Sequence, residues 1–370
     1  MPLPIRKNIL AMQPYSPGRP ISEVQRELGL TEVIKIASNE NPLGPSPKAL
    51  AAIQSAISQV HIYPDAAAYE LRQAIAEFHA VPMSQVAVGN GSDELIRIIT
   101  TCLCGEPSDE VVCGDPSFVR YISAAQGANA KINLVPLDDE LRIDLKEVIS
   151  RVTANTRVVF LANPNNPTGT IFDKSSFEEF LAQVPADCAV VMDEAYFEFA
   201  KDDPSYPDGM DYFRTKDNVV ILRTFSKAYG LAGLRVGYAI CPDQLADAIN
   251  RIREAFNVNV LGQAAAVAAL SDADHLATYV EHNRKERARL CEWLTRRGCR
   301  VYSSYANFVL VDLGIPGKEA TENLLQRGII VRGGHVLGLP KCVRISIGTS
   351  EEMDRLLVAL DQIVPSGVSK

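Results

Sequence analysis

Over the first 240 residues, apolar side chains gather in short, nearly unbroken runs separated by amphipathic stretches. Seven runs are expected to be strands: Val86–Val88, Glu110–Cys113, Lys131–Val135, Arg157–Leu161, Ala189–Met192, Val219–Arg223 and Val236–Ile240. Apolar runs without polar alternation suit strands whose sheet is covered by helices on both faces. The stretches Ser92–Cys104, Ser117–Gln126, Asp144–Val152 and Ser175–Gln183 have helical spacing. This alternation predicts an α/β, doubly wound fold: a mostly parallel seven-stranded sheet with helices on both faces.

After Pro242 the pattern changes. Helical segments run from Asp243 to about Arg297 and end in a long charged helix from Tyr279, stopped by Gly298. A smaller α+β unit is expected beyond it. Its elements are strand Arg300–Asp312, helix Lys318–Gln326, strands Ile329–Arg332 and Cys342–Ile347, and helix Ser350–Ile363. The proline-rich opening is expected to pack on this unit. The expected organisation is an N-terminal arm over 1–35, a large domain over 36–280 and a small C-terminal domain over 281–370.

Composition narrows the function. A formal net charge of −8 argues against a nucleic-acid surface. The most basic run, Asn283 to Arg289, lies beside Glu281 and Glu286 on a helix and reads as a solvated face. Arg6 and Lys7 are followed by Pro14, Pro17 and Pro20 rather than an apolar segment, so no signal peptide is expected. No apolar run is long enough for a membrane span. The 8 cysteines are scattered, with no C-x-x-C pair, and the 5 histidines are equally dispersed. These features predict reduced buried thiols, a cytoplasmic protein and no metal site.

Four polar motifs follow strands, where open α/β sheets place their sites. The run Thr224 to Arg235 holds Lys227 among small, mostly uncharged residues. A desolvated lysine is a nucleophile near neutral pH, and an imine with pyridoxal phosphate is the candidate chemistry. Ser226 and Arg235 can bind a phosphate dianion. Gly89-Asn90-Gly91-Ser92-Asp93-Glu94 opens a helix, with Ser92 a candidate N-cap. It suits a phosphate, or is an ordinary capped turn. Asn163-Pro164-Asn165-Asn166-Pro167-Thr168-Gly169 is a rigid turn that can fix an amide, or only a turn. Asp193, in Met192-Asp193-Glu194-Ala195-Tyr196, needs a partner if buried. A protonated pyridine nitrogen is one such partner, and a loop cap is the alternative.

Together these motifs resemble the fold-type I pyridoxal-phosphate aminotransferases of the class-II family. The likeness runs from Met12-Gln13-Pro14-Tyr15 and Ala37-Ser38-Asn39-Glu40-Asn41-Pro42 to Arg344-Ile345-Ser346-Ile347-Gly348. Within them the chain is similar to the histidinol-phosphate aminotransferases. The resemblance implies that Lys227 carries the cofactor, Asp193 pairs with its ring nitrogen, and Tyr196 and Asn166 bond its ring oxygen. It implies that Gly91, Ser92, Asp93, Ser226 and Arg235 hold the phosphate and that Phe118 stacks on the ring. Many relatives have tyrosine where Phe118 stands. Tyr63 is implied to reach the neighbouring subunit's phosphate, hence a homodimer with shared sites. Tyr15, Asn166, Arg332 and Arg344 are implied to face the substrate.

The implied reaction is transamination of histidinol phosphate with a 2-oxo acid, with Lys227, Asp193 and Tyr196 as the catalytic set. An aromatic amino-acid aminotransferase and a pyridoxal-phosphate decarboxylase of phosphorylated amino acids are the alternatives. A DNA-binding regulator built on this fold is a third, without a helix-turn-helix pattern to support it.

Overall fold

The computed structural model describes residues 3–14 and 18–365. Thirteen strands are found among them: β1 (Ile34–Lys35), β2 (Val86–Gly89), β3 (Glu110–Asp115), β4 (Lys131–Pro136), β5 (Thr156–Ala162), β6 (Ala189–Asp193), β7 (Val219–Thr224), β8 (Gly237–Ile240), β9 (Arg300–Val301), β10 (Phe308–Asp312), β11 (Ile329–Ile330), β12 (Arg332–Gly333) and β13 (Cys342–Ser346). All seven expected strands of the first 240 residues join one sheet, in the order β2-β8-β7-β6-β5-β3-β4. Only β8 runs antiparallel to its neighbours β2 and β7; the remaining pairings are parallel.

The apolar runs are continuous because both sheet faces are buried. In β5, Val159 and Leu161 face one core with Phe177 and Phe180. Val158 and Phe160 face the other with Leu95 and Tyr121. A strand so enclosed has no solvent side on which to alternate.

The smaller unit is an antiparallel sheet, β12-β13-β10-β9, with β1 and β11 paired in parallel beside it. Two expected strands are broken. Arg300–Asp312 is interrupted between β9 and β10 by a turn in which Ala306 N donates to the Ser304 hydroxyl and that hydroxyl donates to Phe308 O. Ile329–Arg332 splits so that β11 pairs with β1 and β12 with β13. The charged helix begins earlier than its charge pattern indicates and runs unbroken over Ala273–Arg296.

The N-terminal segment touches both units. Helix Lys7–Leu10 lies against Arg120–Ala128, with the Asn8 amide donating to Gln126 O at 2.7 Å. Val24 of helix Ile21–Leu28 packs with Ala37 and Ile330. Ser346 N donates to Ile36 O, which continues the contact of this segment with the small sheet.

Candidate active site

β5, β6 and β7 end side by side, and the chain beyond each end turns into one cavity of about 240 Å³. Its wall includes Asn166 after β5, Asp193 and Tyr196 at β6, and Thr224, Ser226 and Lys227 at β7. Ser92, Asp93, Phe118, Tyr121 and Arg235 close it. Nine residues singled out in the sequence thus line one space.

Asp193 is 4% exposed. Its Oδ2 accepts from the Tyr121 hydroxyl at 2.7 Å and its Oδ1 from Ala195 N at 3.2 Å. Burial nevertheless raises its pKa to about 6, because neither donor carries charge. Tyr121 is fixed by its ring, which stacks on Phe160 at 4.7 Å. The edge of Tyr121 meets Phe118, whose centroid lies 5.8 Å away.

Lys227 Nζ donates to Ser38 O at 3.0 Å. Burial lowers its pKa to about 8, and the nearby Arg344 and Arg235 charges act in the same direction against Glu40. A neutral amine is therefore accessible near physiological pH, as a nucleophile or general base requires.

At the other end of the cavity, helix Ser92–Leu103 presents its N-terminus. Ser92 is the first helical residue and not the cap; Gly91 holds the cap position at φ 81°. A Cβ there would sit 2.6 Å from the Arg235 guanidinium. Gly237 of β8 is pressed on the same turn, where a Cβ would meet Ser92 N at 2.5 Å. Arg235 donates to Ser226 Oγ at 3.2 Å and approaches Asp93 at 3.9 Å. Unbonded helix amides, a hydroxyl and a guanidinium form an anion cup.

The Tyr196 hydroxyl accepts from Asn39 Nδ2 at 2.9 Å and Asn166 Nδ2 at 3.3 Å. Arg344, buried on β13, donates to Asn166 Oδ1 at 2.6 Å and to Ala37 O at 2.8 Å. Arg332 is its cross-strand partner, with its guanidinium near Gly18. Tyr15 lies outside the described residues. Tyr63 is not in this cavity: it is 78% exposed and stacked on Phe256.

Tyr121, Asn39 and Ser38 carry contacts that sequence reasoning did not single out. Tyr121 lies in the first turn of helix Arg120–Ala128, and Phe118 precedes that helix. Asn39 and Ser38 belong to a motif whose residues had no individual role assigned.

Residues 31–360 match the family model described as aminotransferase class I and II. The chain is 44% identical to histidinol-phosphate aminotransferase 2 of Carboxydothermus hydrogenoformans, over 97% of this chain and 99% of that protein. It is 45% identical to the histidinol-phosphate aminotransferase of Akkermansia muciniphila, over 97% and 98%. Its structure resembles the histidinol-phosphate aminotransferase of Sinorhizobium meliloti, solved with pyridoxal-5′-phosphate. That likeness has a TM-score of 0.88 and 32% identity, covering 98% of this chain and 97% of the other.

Proposed function

Since this chain belongs to the class I and II aminotransferases, we propose that it transfers the amino group of L-histidinol phosphate to 2-oxoglutarate, using pyridoxal 5′-phosphate. The products are imidazole-acetol phosphate and L-glutamate, and the step serves histidine biosynthesis. The observation that carries this reading is one cavity joining a desolvated lysine, a buried carboxylate and an anion cup.

The residues fit the cofactor. Asp193 is a buried carboxylate with only uncharged donors, and a protonated ring nitrogen would supply the missing cation. The backbone amides of Ser92 and Asp93, with the Ser226 and Arg235 side chains, would hold the phosphate, while Gly91, whose own N–H donates to Gly89 O, shapes the turn; Asn166 and Tyr196 would hold the ring oxygen, and Phe118 would cover the ring. Lys227 would carry the cofactor covalently. When bound, the cofactor supplies an electron sink for negative charge at the substrate α-carbon.

The chain's own residues do the rest. With substrate bound, the Lys227 amine would take the proton from the substrate α-carbon and deliver it to the cofactor carbon that the lysine had held, acting as general base and then acid. Its lowered pKa keeps a useful fraction neutral for the first task. Asp193 keeps negative charge beside the ring nitrogen. Arg344 and Arg332, with Asn166 and Tyr15, would orient the substrate anion: the phosphate of one substrate, a carboxylate of the other. Guanidinium forks suit both groups.

A cytoplasmic homodimer completes the proposal. Leu50, Ile57, Val60, Ile62, Tyr63 and Tyr69 are all more than half exposed or close to it along one stretch of chain, apolar surface of the kind partners cover. Tyr63 would reach the neighbouring site from there. Eight cysteines without a disulfide suit a reducing compartment.

The test is a set of half-reactions. The pyridoxal form is mixed separately with histidinol phosphate, phenylalanine, tyrosine and threonine phosphate, and conversion to the pyridoxamine form is followed by absorbance. Histidinol phosphate should react fastest. A faster reaction with phenylalanine or tyrosine would reassign the substrate. Lys227→Ala should lose the imine band; a full band in that variant would remove Lys227 from its role.

A further inference from the structure

Two residues of β13, Arg344 and Ser346, are two apart and so project from the same face of the strand. Each is linked to the Tyr196 hydroxyl through one asparagine amide. In one relay, Arg344 donates to Asn166 Oδ1 at 2.6 Å and Asn166 Nδ2 donates to Tyr196 at 3.3 Å. In the other, Ser346 Oγ donates to Asn39 Oδ1 at 2.8 Å and Asn39 Nδ2 donates to Tyr196 at 2.9 Å. The second relay is shorter at its tyrosine end and is enclosed: Asn39 is 1% exposed and Ser346 3%.

Asn39 is held for this task from every side. Its own N–H donates to Ser346 Oγ at 2.9 Å, so serine and asparagine bond each other reciprocally. Its carbonyl accepts from Asn307 Nδ2 at 3.0 Å, and Asn307 also donates to the Tyr279 hydroxyl. Its backbone stands at φ 57°, in the left-handed region that asparagine tolerates better than most residues. A side chain fixed at both ends on a sparsely populated backbone cannot reorient without breaking several bonds together.

We propose that Asn39 is a positioning residue for Tyr196: it holds the phenol against β13 of the small unit independently of the Arg344–Asn166 relay. The difference between the relays is functional. Arg344 and Asn166 are the groups assigned to the substrate anion, so their contact changes with what the site holds. The cavity wall includes Asn166 but neither Asn39 nor Ser346, so their grip on Tyr196 is expected to persist through the cycle. This inference rests on the proposed transaminase reading, in which Tyr196 faces the cofactor ring.

The experiment uses the full-length protein loaded with pyridoxal phosphate. Asn39→Gly keeps the left-handed backbone and removes the amide. Asn39→Asp keeps the acceptor for Ser346 and removes the donor to Tyr196. Both are compared with wild type and repeated in a Tyr196→Phe background. The readouts are the pH midpoint of the cofactor absorbance band, the half-reaction kcat and KM, and the melting temperature. Loss of one buried donor to a phenol is expected to lower kcat about fivefold to tenfold, with KM changed less than about twofold. The absorbance midpoint should shift in the same variants. In the Tyr196→Phe background the Asn39 changes should cost less than about twofold, because coupled residues are non-additive.

Equal losses in both backgrounds, or an unshifted midpoint, would overturn the proposal and leave Asn39 a purely structural residue. Should Asn39→Gly not fold, Asn39→Asp and Ser346→Ala carry the same comparison. Failure of the transaminase reading looks different: wild type itself would then form no imine band and convert no amine donor.

Discussion

At Asp193 the protein keeps a carboxylate where only a phenol and a backbone amide bond it. Its pKa is raised from 3.8 to about 6 by burial. A group with a raised folded pKa favours the fold below its unfolded value, and that contribution is lost as pH rises through the folded value. Asp193→Asn does not ionise and escapes the loss. Without cofactor, the variant is therefore expected to be more stable than wild type near pH 8, by about 3 kcal/mol for a shift of this size. The gap should close below about pH 4, where both side chains are neutral. Thermal melts across pH check this; a wild type more stable near pH 8 would show that Asp193 is not strained by burial. Residues of this kind were legible in the sequence, because acid or lysine type at the end of an apolar strand already signals an unusual setting. Tyr121 and Asn39 were not, since their bonds to Asp193 and Tyr196 join distant parts of the chain and leave no local pattern.

Among elements, the seven strands were legible for a physical reason: burial on both faces turns each into an apolar run. The small unit was less so. Its strands are short, and the breaks at Ser304 and between Ile330 and Arg332 come from pairing partners rather than local propensity. β8 and helix Ser92–Leu103 meet at a close junction. Gly237→Ala would drive a methyl into the Ser92 amide and Gly91 carbonyl carbon, backbone atoms that cannot rotate away. We expect it to destabilise the protein by about 1–3 kcal/mol, as overpacking does. It should also weaken cofactor binding, because the same turn forms the anion cup. Gly233→Ala is the control, since nothing lies within 4 Å of a Cβ there. Equal melting temperatures and cofactor affinities in the two variants would contradict the close contact.

On the scale of the whole molecule, the proposed dimer makes a prediction no single subunit can. In that dimer, Lys227→Ala and Tyr63→Ala would damage different halves of a shared site. Unfolding and refolding them together should create hybrids with one intact site, recovering up to about a quarter of wild-type activity for random pairing. Recovery no greater than the average of the two separate variants would mean that Tyr63 serves no neighbouring site. The sheet order adds a different consequence, one of timing. The edge strand β2 has β8 as its neighbour in the sheet, pairing Val86–Gly89 with Ile240–Gly237. The turn that follows β2 is braced by Gly237 of that late strand. During synthesis, then, the anion cup stays unfinished until the last strand of the sheet has left the ribosome. A completed cup therefore marks a chain in which the first and last strands of this sheet have met, before the small unit that follows is finished.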